Sequence, residues 1–365
     1  MITLKLFNLK TLFLSSCENI TFSENSTLNI MVFHFSKYIL KPQKYLFKFP
    51  KLEECSFDGK QDINNVIDFS SLKNIKIIRN IKPSDFLNLE GTKLEEVEII
   101  KKNTDKLTET KILEKLLSIN TLKKTNLLIK NLNNDDISAI KGVNISVEKL
   151  EIYWENECDC VLYNLQNKFP NLTNLYINSD DIYYELKGSI EIKENANYKI
   201  NDFSLDIGIK KNIKFYCGLY ENLIKVAFNI NYSNIEDMFP IFNKNCNTSF
   251  TSLNTFSFYS FNDNEESQIN KDILLNLYNN IDKMPNLKKF FLKCISKDIS
   301  YIFYEKLIKK LLLTNLSEIE LEIKSEFRYT VYIDDDKEYS LEELKQICPE
   351  VNFLKFKKLN IKYNI

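Results

Sequence analysis

The sequence predicts an α/β repeat array, in which short parallel strands alternate with turns or helices and stack into a solenoid. Four of the seven prolines stand two residues before a spaced apolar triplet. They lie in Phe49-Pro50-Lys51-Leu52, Phe169-Pro170-Asn171-Leu172, Met284-Pro285-Asn286-Leu287 and Cys348-Pro349-Glu350-Val351. Proline cannot continue a helix and drives the residue before it towards extended geometry, so each copy marks a helix giving way to a strand. An apolar L-x-x-L-x-L pattern follows and recurs along the chain, as a repeat architecture requires. The stretches between triplets carry apolar residues at steps of three and four, which is one buried helical stripe.

The triplets begin at Leu9, Leu28, Leu52, Leu72, Leu94, Leu122, Val147, Leu172, Ile200, Leu223, Leu253, Leu287, Leu316 and Val351, at intervals of 19 to 35 residues. This spacing predicts one domain over 1–365 with about 14 irregular repeats, shorter within 1–100 and helix-containing within 101–365. Helices are expected over Lys106–Ser118, Asp159–Lys168, Lys271–Lys283, Asp298–Leu313 and Leu341–Ile347. The alternation of Phe327, Tyr329, Val331 and Ile333 predicts an extra strand in the longest repeat.

Composition narrows the function classes. Hydrophobic residues make up 44%, enough for a continuous core. The net charge of −1 and the presence of only two arginines, Arg79 and Arg328, argue against nucleic acid, whose phosphates and guanines favour arginine. No run of apolar residues is long enough to span a membrane, and the first residues lack the apolar stretch of a signal peptide. Eight cysteines are scattered without C-x-x-C spacing, which suits small reduced core residues. An intracellular, cytoplasmic protein is expected. The seven N-x-S/T sequons are accordingly expected to be unused.

The first repeat, Leu9-Lys10-Thr11-Leu12-Phe13-Leu14-Ser15-Ser16-Cys17 with Ile20, resembles the leucine-rich repeat family, whose motif is L-x-x-L-x-L-x-x-N/C-x-L. Asn80 and Asn231 take the same ninth position in other repeats, whereas Lys60, Lys102, Glu155, Asp180, Gly208 or Phe261 depart from it. The resemblance covers essentially the whole chain, and the repeat lengths are similar to the ribonuclease-inhibitor-like and cysteine-containing intracellular subclasses. It implies a horseshoe with a parallel concave sheet and with helices or turns on the convex side. The departures imply a broken asparagine ladder. No F-box is recognisable.

Side chains alternate between the faces of a strand. With positions 1, 4 and 6 of each repeat buried, positions 3, 5 and 7 face the open side. That face then carries the aromatics Tyr153, Tyr176, Tyr259 and Phe291. Its acids include Glu54, Asp58, Glu96, Glu98, Glu151, Asp202, Asp206, Glu318, Glu320 and Glu322. Aromatics on a rigid surface are favoured anchors, and the acids suit a partner with a basic surface. Opposed charges are expected between Lys76 and Glu98, and between Glu96 and Lys124. The Glu318, Glu320 and Glu322 row is expected between two lysine-bearing strands, the last showing Phe353, Lys355 and Lys357 or, in a second register, Lys358, Asn360 and Lys362.

Catalysis has little to build on. His34 is the only histidine, which removes histidine clusters and H-E-x-x-H zinc sites. Cys158-Asp159-Cys160 beside Glu155 and Glu157 offers soft-metal ligands but reads as an acidic loop with two incidental cysteines. Asp334-Asp335-Asp336 lacks the calcium-loop pattern and reads as a solvated turn, and no glycine-rich phosphate loop occurs. The expectation is a non-enzymatic scaffold that binds another protein and needs neither cofactor nor metal. The alternatives are a substrate adaptor of a ubiquitin-ligase-type complex and a cysteine-dependent enzyme around Cys158–Cys160. A secreted receptor is a further reading, which used sequons would favour.

Overall fold

The computed structural model describes residues 2–4, 10–15, 20–22, 28–34, 48–57, 67–102, 104–154, 160–179, 190–191, 199–207, 213–214, 222–230, 240–244, 246–247, 249–260, 271–296, 300–325 and 336–364. Two compact units emerge, one of Met1–Tyr153 with Asn164–Leu172 and one of Trp154–Tyr163 with Thr173–Ile365. The expected strand over Phe327–Ile333, the residues Asp58, Cys158, Asp159, Asp334 and Asp335, and the side chain of His34 lie outside the described residues.

In the first unit the strands β1 (Thr11–Ser15), β2 (Ile30–His34), β3 (Glu54–Ser56), β4 (Ile77–Ile81), β5 (Glu96–Ile99), β6 (Lys124–Ile129) and β7 (Lys149–Trp154) lie side by side in chain order. The second unit continues with β8 (Asn174–Ser179), β9 (Asp202–Ile207), β10 (Lys225–Ile230), β11 (Thr255–Ser260), β12 (Lys289–Ser296) and β13 (Glu318–Ser325). There β14 (Asp336–Glu338) runs antiparallel to β15 (Lys358–Asn364), which pairs in parallel with β13. Parallel strands separated by turns and helices make each unit a solenoid-like α/β repeat stack.

One backbone bond pattern sets the register. The Glu53 carbonyl accepts from both Lys76 N, at 2.8 Å, and Ile77 N, at 3.0 Å. The carbonyls of Lys76, Glu95 and Lys123 do the same in the first unit, and those of Asn201, Ile224, Asn254 and Lys288 in the second. Each is the second residue of its repeat, so the pattern numbers the repeats independently of their side chains.

By that numbering two expected registers move. The fourth repeat begins at Ile75 rather than Leu72, and Cys55 lies opposite Ile78. The strand then bulges between Ile78 and Ile81, where Asn80 takes φ 59, a left-handed conformation that asparagine tolerates. Asn80 is therefore a strand residue and not a ninth-position ladder residue. The last repeat begins at Phe356: Leu354 is 95% exposed, and Phe353–Lys355 form a 3-10 turn whose Leu354 amide donates to Asn352 Oδ1 at 3.1 Å. Of the two registers open there, the strand takes the one with Lys358, Asn360 and Lys362.

The helices are α1 (Pro83–Leu87), α2 (Lys106–Ser118), α3 (Asn134–Ala139), α4 (Leu162–Lys168), α5 (Lys271–Asn280), α6 (Tyr301–Leu313) and α7 (Leu341–Ile347). Side-chain caps fix where they start. Asp105 accepts from Thr108 N at 2.7 Å, Ser300 accepts from Phe303 N at 3.3 Å, and Ser340 with Glu343 forms a capping box. The expected helix over Asp159–Lys168 starts later, at Leu162, because Cys160–Val161 pair as a short strand with Ile190–Glu191.

The core runs along positions 1, 4 and 6. Leu287, Phe290 and Leu292 are buried, as are Leu316, Ile319 and Leu321. In the second unit phenylalanines fill this layer: Phe242 meets Phe258 edge-on at 5.3 Å, and Phe256 stacks on Phe290 at 5.5 Å. Burying each such ring contributes roughly 1.5–3 kcal/mol. Successive turns are also tied where strands begin. Asn74 Nδ2 donates to Pro50 O at 2.8 Å, Asn171 Nδ2 to Ile145 O at 2.7 Å, and Asn286 Nδ2 to Thr251 O at 2.7 Å. These three bonds are separate ties between neighbouring turns, each made by the residue just before the first apolar one.

Candidate protein-binding face

Positions 3, 5 and 7 form the open face of each sheet, and the candidate residues, Asp58 aside, fall on these positions and are half-buried. In the second unit the strand pairing aligns them in rows. The first row reads Asn174, Asp202, Lys225, Thr255, Lys289, Glu318 and Lys358. The middle row contains Tyr176, Phe291 and Glu320, and the third contains Asp206, Tyr259, Lys293 and Glu322.

Charges on adjacent strands neutralise one another. Lys225 meets Asp202 at 3.3 Å, Lys289 meets Glu318 at 2.9 Å, and Lys293 reaches Glu320 at 2.6 Å and Glu322 at 3.5 Å. Lys358 closes on Glu320 from the other side. Burial alone would raise the Glu320 carboxyl, but the bonds from Lys293 and Lys358 overcome it and hold the group below the usual carboxylate range. The same bond to Glu320 raises the Lys293 ammonium. Asp206 accepts from Tyr176 OH at 3.0 Å. The three rows together carry five lysines against five acids, so this face is neutral.

The aromatics stand in different surroundings. Tyr259 is half-buried, and its hydroxyl is raised first by burial and then by Glu320. The Lys358 ammonium sits 5.6 Å from the Phe291 ring. In the first unit Lys101 covers Tyr153 at 3.8 Å in a cation–π contact, so that ring is capped from within.

Ion pairs also cross the first unit's face around Arg79 and Glu96. Arg79 lies between Glu54 and Glu96, the latter at 3.4 Å, and Lys124 meets Glu96 at 3.0 Å as expected. Lys76 pairs with Glu53 at 3.0 Å and not with Glu98, because the fourth repeat starts three residues later than Leu72. Among the described residues the Glu98 and Glu151 side chains make no ion pair or hydrogen bond, and Asn126 lies between their strands with its amide bonded to Ile99 N at 2.6 Å and Ile99 O at 2.7 Å. The pairs of Lys76 with Glu53 and Lys123 with Glu95 escaped sequence reasoning. They sit at position 2, and the alternation of lysine and glutamate there was the signal.

Burial pushes the Cys55 and Cys294 thiols well above the ordinary thiol value, which withholds the nucleophilic thiolate. The described residues contain no group of three His, Cys, Asp or Glu side chains able to hold a metal, and no helix long and apolar enough to cross a membrane. The sequon residue Asn144 is 2% exposed and donates to Leu116 O at 2.8 Å, so a glycan has no access there. No protein-family model and no curated protein matches the chain.

Proposed function

We propose that this chain is an irregular leucine-rich-repeat scaffold without catalytic activity, which takes a protein partner on the open face of its sheet. The carrying observation is the pairing of Tyr259 and Phe291 with a neutral surround on adjacent, rigid strands. Half-exposed rings fixed by a sheet lose little side-chain entropy on binding, and lysine–glutamate pairs around them exclude competing charges rather than attract one sign. Tyr176 extends this anchor set. A basic group on the partner finds its acceptors at Glu98 and Glu151 of the first unit, which are not neutralised within their own face.

The test is affinity purification from native cells with the intact chain, compared with a Tyr259→Ser, Phe291→Ser double variant whose circular dichroism and melting temperature match the parent. Loss of the captured protein by the variant supports the reading. Equal recovery by both proteins removes the open face as the site.

A further inference from the structure

A second surface lies among the helices of the second unit. α6 and α7 line a groove of about 550 Å³ that includes Tyr301, Ile302, Lys306 and Lys309 from α6 and Ile347 from α7, beside Tyr339. Ile302 is 66% exposed, and Leu341, in the first turn of α7, is 46% exposed. Of the ten large apolar side chains exposed among the described residues, four lie on α6 and α7, and two of these, Tyr301 and Ile302, line the groove. Apolar exposure along a groove marks a binding surface.

The charges on the groove select the kind of partner. Its acids, Glu305 and Glu343, are half-buried, and Glu343 is occupied as a cap acceptor for Ser340 N at 2.9 Å and Ser340 Oγ at 3.0 Å. Its lysines stand exposed. Lys306 has no ion partner among the described residues, and Lys309 makes one long, exposed pair, with Glu350 at 3.8 Å. The two lysines are thus the only fully exposed charges of a lining that carries two lysines and two glutamates, and they stand beside an apolar floor.

We propose that the α6–α7 groove docks an acidic amphipathic segment of a partner protein. Its apolar side chains enter against Ile302, Ile347 and the tyrosine rings, and its carboxylates pair with Lys306 and Lys309. This is the helix-in-groove mode of recognition, with charge setting the preference. The site is separate from the open sheet face and stands without the reading given to that face. It would supply the second docking surface that an adaptor needs.

The test uses two synthetic, fluorescein-labelled helical peptides that share one leucine–phenylalanine stripe and differ in carrying glutamate or lysine beside it. Each is titrated against the intact chain by fluorescence anisotropy. The glutamate peptide is expected to bind at least about tenfold more tightly than the lysine peptide. Lys306→Glu should erase or reverse that preference, and Ile302→Asp should weaken the glutamate peptide by about tenfold. Both substitutions fall on exposed positions, and unchanged melting temperatures will verify folding. The Tyr259→Ser, Phe291→Ser variant should bind the glutamate peptide as the parent does. No binding of either peptide at about 1 mM, equal binding of both, or a Lys306→Glu protein with the parental preference would overturn the proposal.

Discussion

Lys355 Nζ donates to the carbonyl oxygen of Thr314 at 2.7 Å, although the two residues are 41 positions apart. It also donates to Leu312 O at 2.9 Å, so a lysine at the end of the penultimate repeat closes the C-terminus of α6. Lys115 does the same for Leu87 O and Leu89 O after α1, and Lys168 for Ser138 O and Ile140 O after α3. Asn144 and Asn280 serve as neutral versions, bonded to Leu116 O and Ile119 O, and to Ile241 O and Asn243 O. Carbonyls at a helix end have no partner within the helix and favour a cation. Each of these side chains ties down the end of an element one repeat back.

Replacing one of these caps should loosen the stack. Lys115→Met keeps an apolar stem of similar length but removes the ammonium, which lies 5.3 Å from the centre of the Phe86 ring and donates to two carbonyls. It should cost about 1–2 kcal/mol in urea denaturation. An unchanged midpoint would mean that water replaces the ammonium at no cost.

Glu109 anchors the loop after β6. It is 1% exposed and accepts from the backbone amides of Lys130 at 3.2 Å, Asn131 at 2.9 Å and Leu132 at 3.2 Å, and from Thr104 Oγ1 at 3.0 Å. Glu109→Ala strands buried donors and should cost about 3 kcal/mol. Glu109→Gln, which keeps an acceptor, should cost less. Thermal unfolding of the two variants checks the order.

The Glu320 cluster gives stability a pH dependence of known sign. Its folded carboxyl titrates below the ordinary value of 4.5. Its contribution is therefore complete above the unfolded value and is lost as pH falls through the folded one. Acid unfolding of the parent should gain about 1 kcal/mol of sensitivity below that value relative to Glu320→Gln. Lys293, raised above 10.5, adds stability that is kept below that value and lost as pH rises through its folded one. Superimposable parent and variant profiles in acid would remove the cluster as an energetic element.

The C-terminal register predicts unequal costs for two aliphatic residues. Leu354→Asp should change stability by less than about 0.5 kcal/mol, because the side chain stands in water. Ile361→Ala should cost about 2–4 kcal/mol, because Ile361 is 1% exposed and lies opposite Leu321. The reverse order would restore a strand beginning at Val351.

The parts of this fold that were legible in the sequence are those encoded locally. Pro50, Pro170 and Pro285 each precede a buried leucine that leads into a strand, and α2 and α7 have the predicted bounds because apolar period and cap agree there. Pro349 misled because Asn352 turns the chain after it and delays the strand to Lys358. The fourth repeat misled because Leu72, Ile75, Ile78 and Ile81 follow one another at steps of three, so two registers bury equally apolar residues. The lysine–glutamate pairs of β12 and β13 were legible once adjacency was assumed. The bonds from Lys115, Lys168 and Lys355 to distant carbonyls were not, since a lysine on a polar helix face carries no mark of what lies a repeat away.

Hydroxyl-radical footprinting of the chain with and without its captured partner tests the open-face account most directly, because the anchors proposed for it are aromatic and oxidise readily. The account predicts that oxidation of Tyr259 and Phe291 falls severalfold in the complex, while Tyr278, half-buried on α5, is unchanged. Equal oxidation of Tyr259 and Phe291 in the free and bound chain would contradict it.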